Sequence, residues 1–261
     1  MSMGKNLFGL AGKTALVTGG SRGLGLQIAE ALGQQGATVV ISSRKQKDLD
    51  GAVAHLQERG IEAIAIAANL AKESEIAPLV SETLNRLGRI EILVNNAGAT
   101  WGAPAEDHPI EAWDKVMDLN VRSVFLLSQA VGKQAMIPGR YGRIINVASI
   151  AGLRGNAPGV MQTVSYNTSK AALLNFTRTL AGEWGQYGIT VNALAPGFFP
   201  SKMTNDLLGR EEIGSLLERV PLHRIGDDDD LKGATLLFAS DAGKHITGQV
   251  LAIDGGMSAV L

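Results

Sequence analysis

Apolar residues fall in short, evenly spaced runs along this chain. Residues 13–18 read as a buried strand that enters the turn Gly19-Gly20-Ser21-Arg22-Gly23-Leu24-Gly25. A helical pattern from Leu26 to about Gly33 and a second strand at 38–42 follow. Strand, glycine turn, helix and strand in so short a span make a βαβ unit. The pattern then repeats, with strands expected at 63–67, 92–95, 143–147, 190–194 and 249–253. Helices are expected between them at 46–59, 73–87, 110–134, from about Tyr166 onward, and at 228–239. The strands are continuous apolar runs rather than alternating ones, as in parallel strands covered on both faces. The pattern predicts an α/β fold: a doubly wound parallel sheet of about seven strands with helices on both faces. No linker or shift in composition interrupts it, so residues 1–261 are expected to form a single domain. The irregular stretch 196–224 follows a strand end where ligands bind in such sheets, and reads as a substrate lid with one or two short helices.

Composition narrows the function. Hydrophobic residues make up 45% and charged residues 19%, a globular balance. The absence of cysteine excludes disulfides and thiolate catalysis. A net charge of −1 without a basic stripe argues against nucleic acid. His55, His108, His223 and His245 are scattered, so no metal site is expected. No apolar run approaches the ~20 residues of a membrane span. Residues 1–6 carry no long apolar core, so the cytoplasm is the expected location.

Two stretches carry candidate chemistry. The glycine turn after the first strand lets backbone amides approach a pyrophosphate, aided by the positive end of the following helix. Its spacing, with three residues between Gly19 and Gly23, differs from the G-x-G-x-x-G fingerprint. At the end of the second strand stand Ser42, Ser43 and Arg44, with no carboxylate before Asp48. A cation there accommodates a 2′-phosphate, and Arg22 could reach the same region, so NADP(H) is the expected cofactor. The second stretch is Ser165-Tyr166-Asn167-Thr168-Ser169-Lys170. Tyr166 and Lys170, four apart, share one helix face. A cation beside a phenol lowers its pKa from about 10 where water is partly excluded, although the pair alone also fits a solvated surface. Three decoys are set aside: Gly12-Lys13-Thr14 lacks the preceding P-loop glycine, Asn167-Thr168-Ser169 sits in an expected helix, and Asp227–Asp230 reads as an acidic first helical turn.

Taken in order, these residues together with Asn95-Asn96-Ala97-Gly98, Asn120, Ser149, Pro196-Gly197 and Asp254-Gly255 resemble the classical short-chain dehydrogenase/reductase family over essentially the whole chain. The resemblance implies a Rossmann-type domain and an NADP(H)-dependent oxidoreductase. Tyr166 would be the general acid or base, Lys170 would lower its pKa and bond the nicotinamide ribose, and Ser149 would hydrogen-bond the reacting oxygen. Asn120 would help anchor a proton-relay water. Cofactor contacts would come from Gly19, Ser21, Arg22, Gly23, Leu24, Gly25, Ser43, Arg44, Asn69, Leu70, Asn96, Ala97 and Gly98, and from Pro196, Gly197, Phe199 and Ser201. Asn69 stands where many members carry Asp, and Ser201 where threonine is usual. Ser149 and Tyr166 are seventeen positions apart, against thirteen in many members, so the intervening loop 155–164 would border the substrate. An apolar wall of Trp101, Leu153, Met161, Phe198, Phe199, Met203 and Leu207 leans toward an acyl chain or lipophilic ketone. The implied substrate is a small carbonyl or alcohol, a 3-oxoacyl thioester first and a sugar acid (gluconate 5-dehydrogenase-like) second. A non-catalytic NADP(H)-binding regulatory protein is the reading from another class. By resemblance the protein would be a homotetramer.

Overall fold

The computed structural model describes residues 6–156, 161–200, 214 and 217–260. Seven strands form one sheet: β1 Thr14–Thr18, β2 Thr38–Ser43, β3 Ala63–Ala67, β4 Ile92–Asn95, β5 Gly142–Val147, β6 Ile189–Pro196 and β7 Val250–Ile253. The order is β3-β2-β1-β4-β5-β6-β7, with every pair parallel. Helices α1 (Gly23–Gln34), α2 (Gln46–Gln57), α3 (Ile76–Leu87), α4 (Ile110–Met117), α5 (Ser123–Val131), α6 (Val164–Trp184) and α7 (Lys232–Ala239) cross between them. The expected doubly wound sheet is the one observed, with strand order reversing between β1 and β4.

The sheet separates two apolar layers. On one face Ile28 and Leu32 of α1, Leu49 and Leu56 of α2 and Phe238 of α7 pack on Val39, Ile92 and Ile145. On the other, Leu79 and Val80 of α3, Leu127 and Val131 of α5 and Leu180 of α6 pack on Leu16, Leu93, Ile144 and Val191. The inner strands β1, β4, β5 and β6 are buried throughout, which explains their unbroken apolar runs.

Several boundaries differ from the pattern. The helix expected at 110–134 is interrupted by two π-helical stretches, Asp118–Arg122 and Gly132–Met136, and ends in a turn at Ile137–Gly139. Strand β6 runs two residues further than expected, through Pro196, and β2 one further, through Ser43. The acidic run 227–230 is not the first turn of α7, which starts at Lys232. It forms a turn instead: Asp229 N–H donates to Asp227 Oδ1 and Arg224 donates to both carboxylate oxygens of Asp230. That bidentate bond holds Asp230 down at about 2. Of the expected lid, residues 201–213, 215 and 216 lie outside the described residues, as do Ser201, Met203 and Leu207 within it.

Candidate active site

The carboxyl ends of β1, β2, β4, β5 and β6 open into one cleft of about 1370 Å³. Its nucleotide half begins at the glycine turn. Gly19 and Gly23 have φ of 64° and 53°, in the left-handed region that glycine adopts at no steric cost. A Cβ on Gly25 would lie 2.3 Å from the Gly19 carbonyl oxygen, so only glycine lets α1 start this close to the turn. Arg22, the residue before α1, gives its helix no side-chain cap, which leaves the first N–H groups of α1 available to an anion.

Asn96 ties the turn after β4 to this loop. Its Nδ2 donates to the carbonyls of Thr18 and Gly19, at 2.8 and 3.3 Å. Thr18 Oγ1 accepts from the N–H groups of Asn96 and Ala97. The Asn96 side chain thus shapes the loop. Asn69 folds into a turn, its Oδ1 accepting Ala71 N–H and its own N–H donating to Glu75. Leu70 is buried in the wall beneath. At the end of β2 the hydroxyls of Ser42 and Ser43 are buried without a partner, and exposed Arg22 and Arg44 line the same rim with no acidic partner among the described residues. Open amides, orphaned hydroxyls and two unpaired guanidinium groups fit a phosphorylated dinucleotide. The residues present therefore suit NADP(H).

The other half holds the reactive groups. Ser149, just past β5, accepts Ala151 N–H at 3.1 Å, and its hydroxyl and the Tyr166 phenol line the same cleft. Lys170, one turn along α6, is buried with 5% exposure and donates its Nζ to the Val147 carbonyl at 2.7 Å. That nitrogen lies 5.6 Å from the Tyr166 ring centroid. The expectation that Lys170 lowers the phenol's pKa is corrected here. Burial raises Tyr166, with the nearby Ser149 hydroxyl pulling the other way, and burial lowers Lys170 to about 8. Tyr166 as a whole residue is only half-buried, since part of its ring faces the cleft.

Asn120 sits in the first π-helical stretch, a distortion frequent at functional positions. Its Oδ1 accepts Ala99 N–H at 2.8 Å, and its Nδ2 donates to Ala99 O and Ser169 Oγ, both at 2.9 Å. Ser169 Oγ in turn donates to the Tyr166 carbonyl. The Asn120 side chain therefore locks the turn after β4 to the helix that carries Tyr166 and Lys170, rather than facing the cleft as a water ligand.

Other expected positions differ in kind. Pro196 and Gly197 line the cleft, whereas the Phe199 side chain is buried in the apolar layer at its edge. Of the described members of the expected apolar wall, Met161, Phe198 and Phe199 border the cleft and exposed Trp101 and Leu153 do not. Positions 157–160 of the long loop lie outside the described residues. Its flanks are pinned: Asn156 donates to Thr163 Oγ1, and Asn167 donates to Asn156. Sequence reading missed Lys115, Arg154, Glu218, Arg219, Met257 and Val260, all of which line the cleft. They come from four separate stretches of the chain, and no motif spacing relates those stretches.

A family model described as short chain dehydrogenase matches residues 13–212. The chain is 41% identical to the 3-oxoacyl-[acyl-carrier-protein] reductase FabG of Staphylococcus epidermidis over 246 residues, 94% of this chain and 98% of that one. It is 37% identical to gluconate 5-dehydrogenase of Gluconobacter oxydans over 257 residues, 98% of each chain. The crystal structure of a gluconate 5-dehydrogenase from Burkholderia cenocepacia in complex with NADP and tartrate superposes with a TM-score of 0.92 at 32% identity, covering 98% of both chains.

Proposed function

This chain belongs to the short-chain dehydrogenase family, and on that premise we propose that it interconverts a ketone and a secondary alcohol at the Ser149–Tyr166 pair, using NADP(H). The convergence of Ser149, Tyr166 and Lys170 on one cleft lining, beside the glycine turn, supports the reading most strongly. The nicotinamide supplies or accepts the hydride at the carbonyl carbon. Ser149 holds the carbonyl oxygen by its hydroxyl hydrogen, since its oxygen already accepts Ala151 N–H. Tyr166, kept protonated by burial, donates its proton to that oxygen as the hydride arrives, and takes the proton back in oxidation. Lys170 faces the same space: a Cβ on Gly98 would stand 3.7 Å from its Nζ and 3.2 Å from Asn120 Oδ1. Asn120 acts by position, and contact with a relay water would fall to its main chain.

The glycine turn and the start of α1 would receive the pyrophosphate, Ser43, Arg22 and Arg44 the 2′-phosphate, Asn69 and Leu70 the adenine side, and Ala97, Gly98, Pro196 and Gly197 the nicotinamide side, all of them lining the one cleft. The relatives are named for two substrate classes, 3-oxoacyl thioesters and gluconate, and the Burkholderia structure carries NADP with the hydroxy acid tartrate. We retain the thioester or related ketone as the first substrate and a sugar acid as the second. A substrate lid at 196–224, partly outside the described residues, and a homotetramer, the latter by resemblance to the family, are part of the same proposal. Among the described residues no helix is long and apolar enough to cross a membrane, and a cytoplasmic location is part of the same proposal. Assaying 3-oxoacyl thioesters and keto-sugar acids with NADPH and with NADH tests the reading; no turnover with any of them would overturn it.

A further inference from the structure

The outer end of the cleft carries a cation, Arg154, with no counter-charge among the described residues. Arg154 stands beyond Ser149 and the 3₁₀ turn Ile150–Gly152, exposed on the cleft lining. Its Nη1 donates to Val260 O at 3.2 Å and its Nη2 to Met257 O. Both acceptors are neutral carbonyls, and no carboxylate pairs with Arg154 among the described residues. Since Arg154 follows β5 while Met257 and Val260 follow β7, the contact spans the end of β6, which lies between those strands. The side chain is thereby held at the cleft lining, with three of its five N–H donors uncommitted among the described residues. Arg219 also lines the cleft, and Glu218 is the single carboxylate among the described lining residues.

A fixed, exposed guanidinium in a concave site is matched by a planar or tetrahedral oxyanion, which it can bond bidentately. The short turn keeps the Cα atoms of Ser149 and Arg154 within roughly 13 Å of each other, taking ~2 Å per 3₁₀ residue and ~3.5 Å per extended one. An anion at Arg154 can thus belong to the same molecule as a carbonyl held at Ser149. We propose that Arg154 is a specificity residue that seats an anionic oxygen group, carboxylate or phosphate, carried by the substrate. This rests on the ketone-reducing reading above and narrows its substrate class.

The test is steady-state reduction with NADPH of two matched pairs. One is a small keto acid and its methyl ester; the other is a 3-oxoacyl coenzyme A and its N-acetylcysteamine thioester, which lacks phosphates. Wild type should prefer the anionic member of at least one pair by about tenfold in kcat/KM, the first pair reporting a carboxylate and the second a phosphate. In Arg154→Gln that ratio should fall toward one, and Arg154→Lys should restore part of it, chiefly through KM. Equal efficiencies within both pairs in wild type, or a ratio unchanged in Arg154→Gln, would overturn the proposal. A loss shared equally by charged and neutral substrates would also overturn it, because it would mark Arg154 as a strap for the C-terminal segment only. If Arg154→Gln does not fold, the wild-type ratios and Arg154→Lys decide. Failure of wild type to reduce any of the four compounds would instead bring down the ketone-reducing reading itself.

Discussion

The Lys170 ammonium donates to the carbonyl oxygen of Val147 at 2.7 Å, although Lys170 and Tyr166 share one face of α6. The lysine is anchored to the last residue of β5, next to the strand end that presents Ser149. Its burial lowers its pKa to about 8, against an ordinary value of 10.5. Ketone reduction should therefore weaken above about pH 8 as this charge is lost. Oxidation of the alcohol should gain with rising pH, because it needs the Tyr166 phenol deprotonated and burial raises that pKa. Profiles of kcat/KM in both directions would check the opposed slopes.

The same burial has a sign for stability. Between about pH 8 and 10.5 the unfolded chain binds a proton at Lys170 that the folded chain does not, so this group's cost is full below pH 8 and is relieved as pH rises through that window. Urea unfolding of wild type and Lys170→Met at pH 7 and at pH 10 should show wild type gaining on the variant, by up to about 3 kcal/mol.

Asn120→Ala should destabilise the protein by about 2–3 kcal/mol, since Asn120 is 1% exposed and its loss leaves Ala99 N–H and O without their partner. Turnover should fall more than coenzyme affinity does, because the severed link holds the Tyr166 helix rather than the glycine turn. Denaturation midpoints together with coenzyme titration would separate the two effects.

Arg44→Ala should weaken NADPH binding by about tenfold or more while leaving NADH nearly unchanged, and Arg22→Ala should do the same to a smaller degree. Fluorescence titration with both coenzymes measures the discrimination.

Much of this was legible along the chain, because a parallel sheet buried on both faces writes its strands as apolar runs and its phosphate turn as glycines. The order of motifs from Thr18 to Asp254 located the cleft before its geometry was known. The partner of Lys170 was not legible, since helical spacing places Lys170 beside Tyr166 but says nothing of a carbonyl 23 residues earlier in the chain. Nor was the part played by Asn120, whose side chain contacts Ala99 and Ser169 on two other elements. The outward turn of two expected wall residues was hidden for the same reason. Hydrophobicity marks Trp101 and Leu153 but not the direction in which a loop turns them, and both face solvent.

The most direct measurement is turnover and NADPH binding in Tyr166→Phe, which removes one hydroxyl and keeps the ring. Loss of the proton donor should cut kcat by about 10²–10⁴-fold while the dissociation constant for NADPH stays within about threefold of wild type. A variant that still reduces the ketone at close to the wild-type rate would contradict the assignment of Tyr166 as the acid.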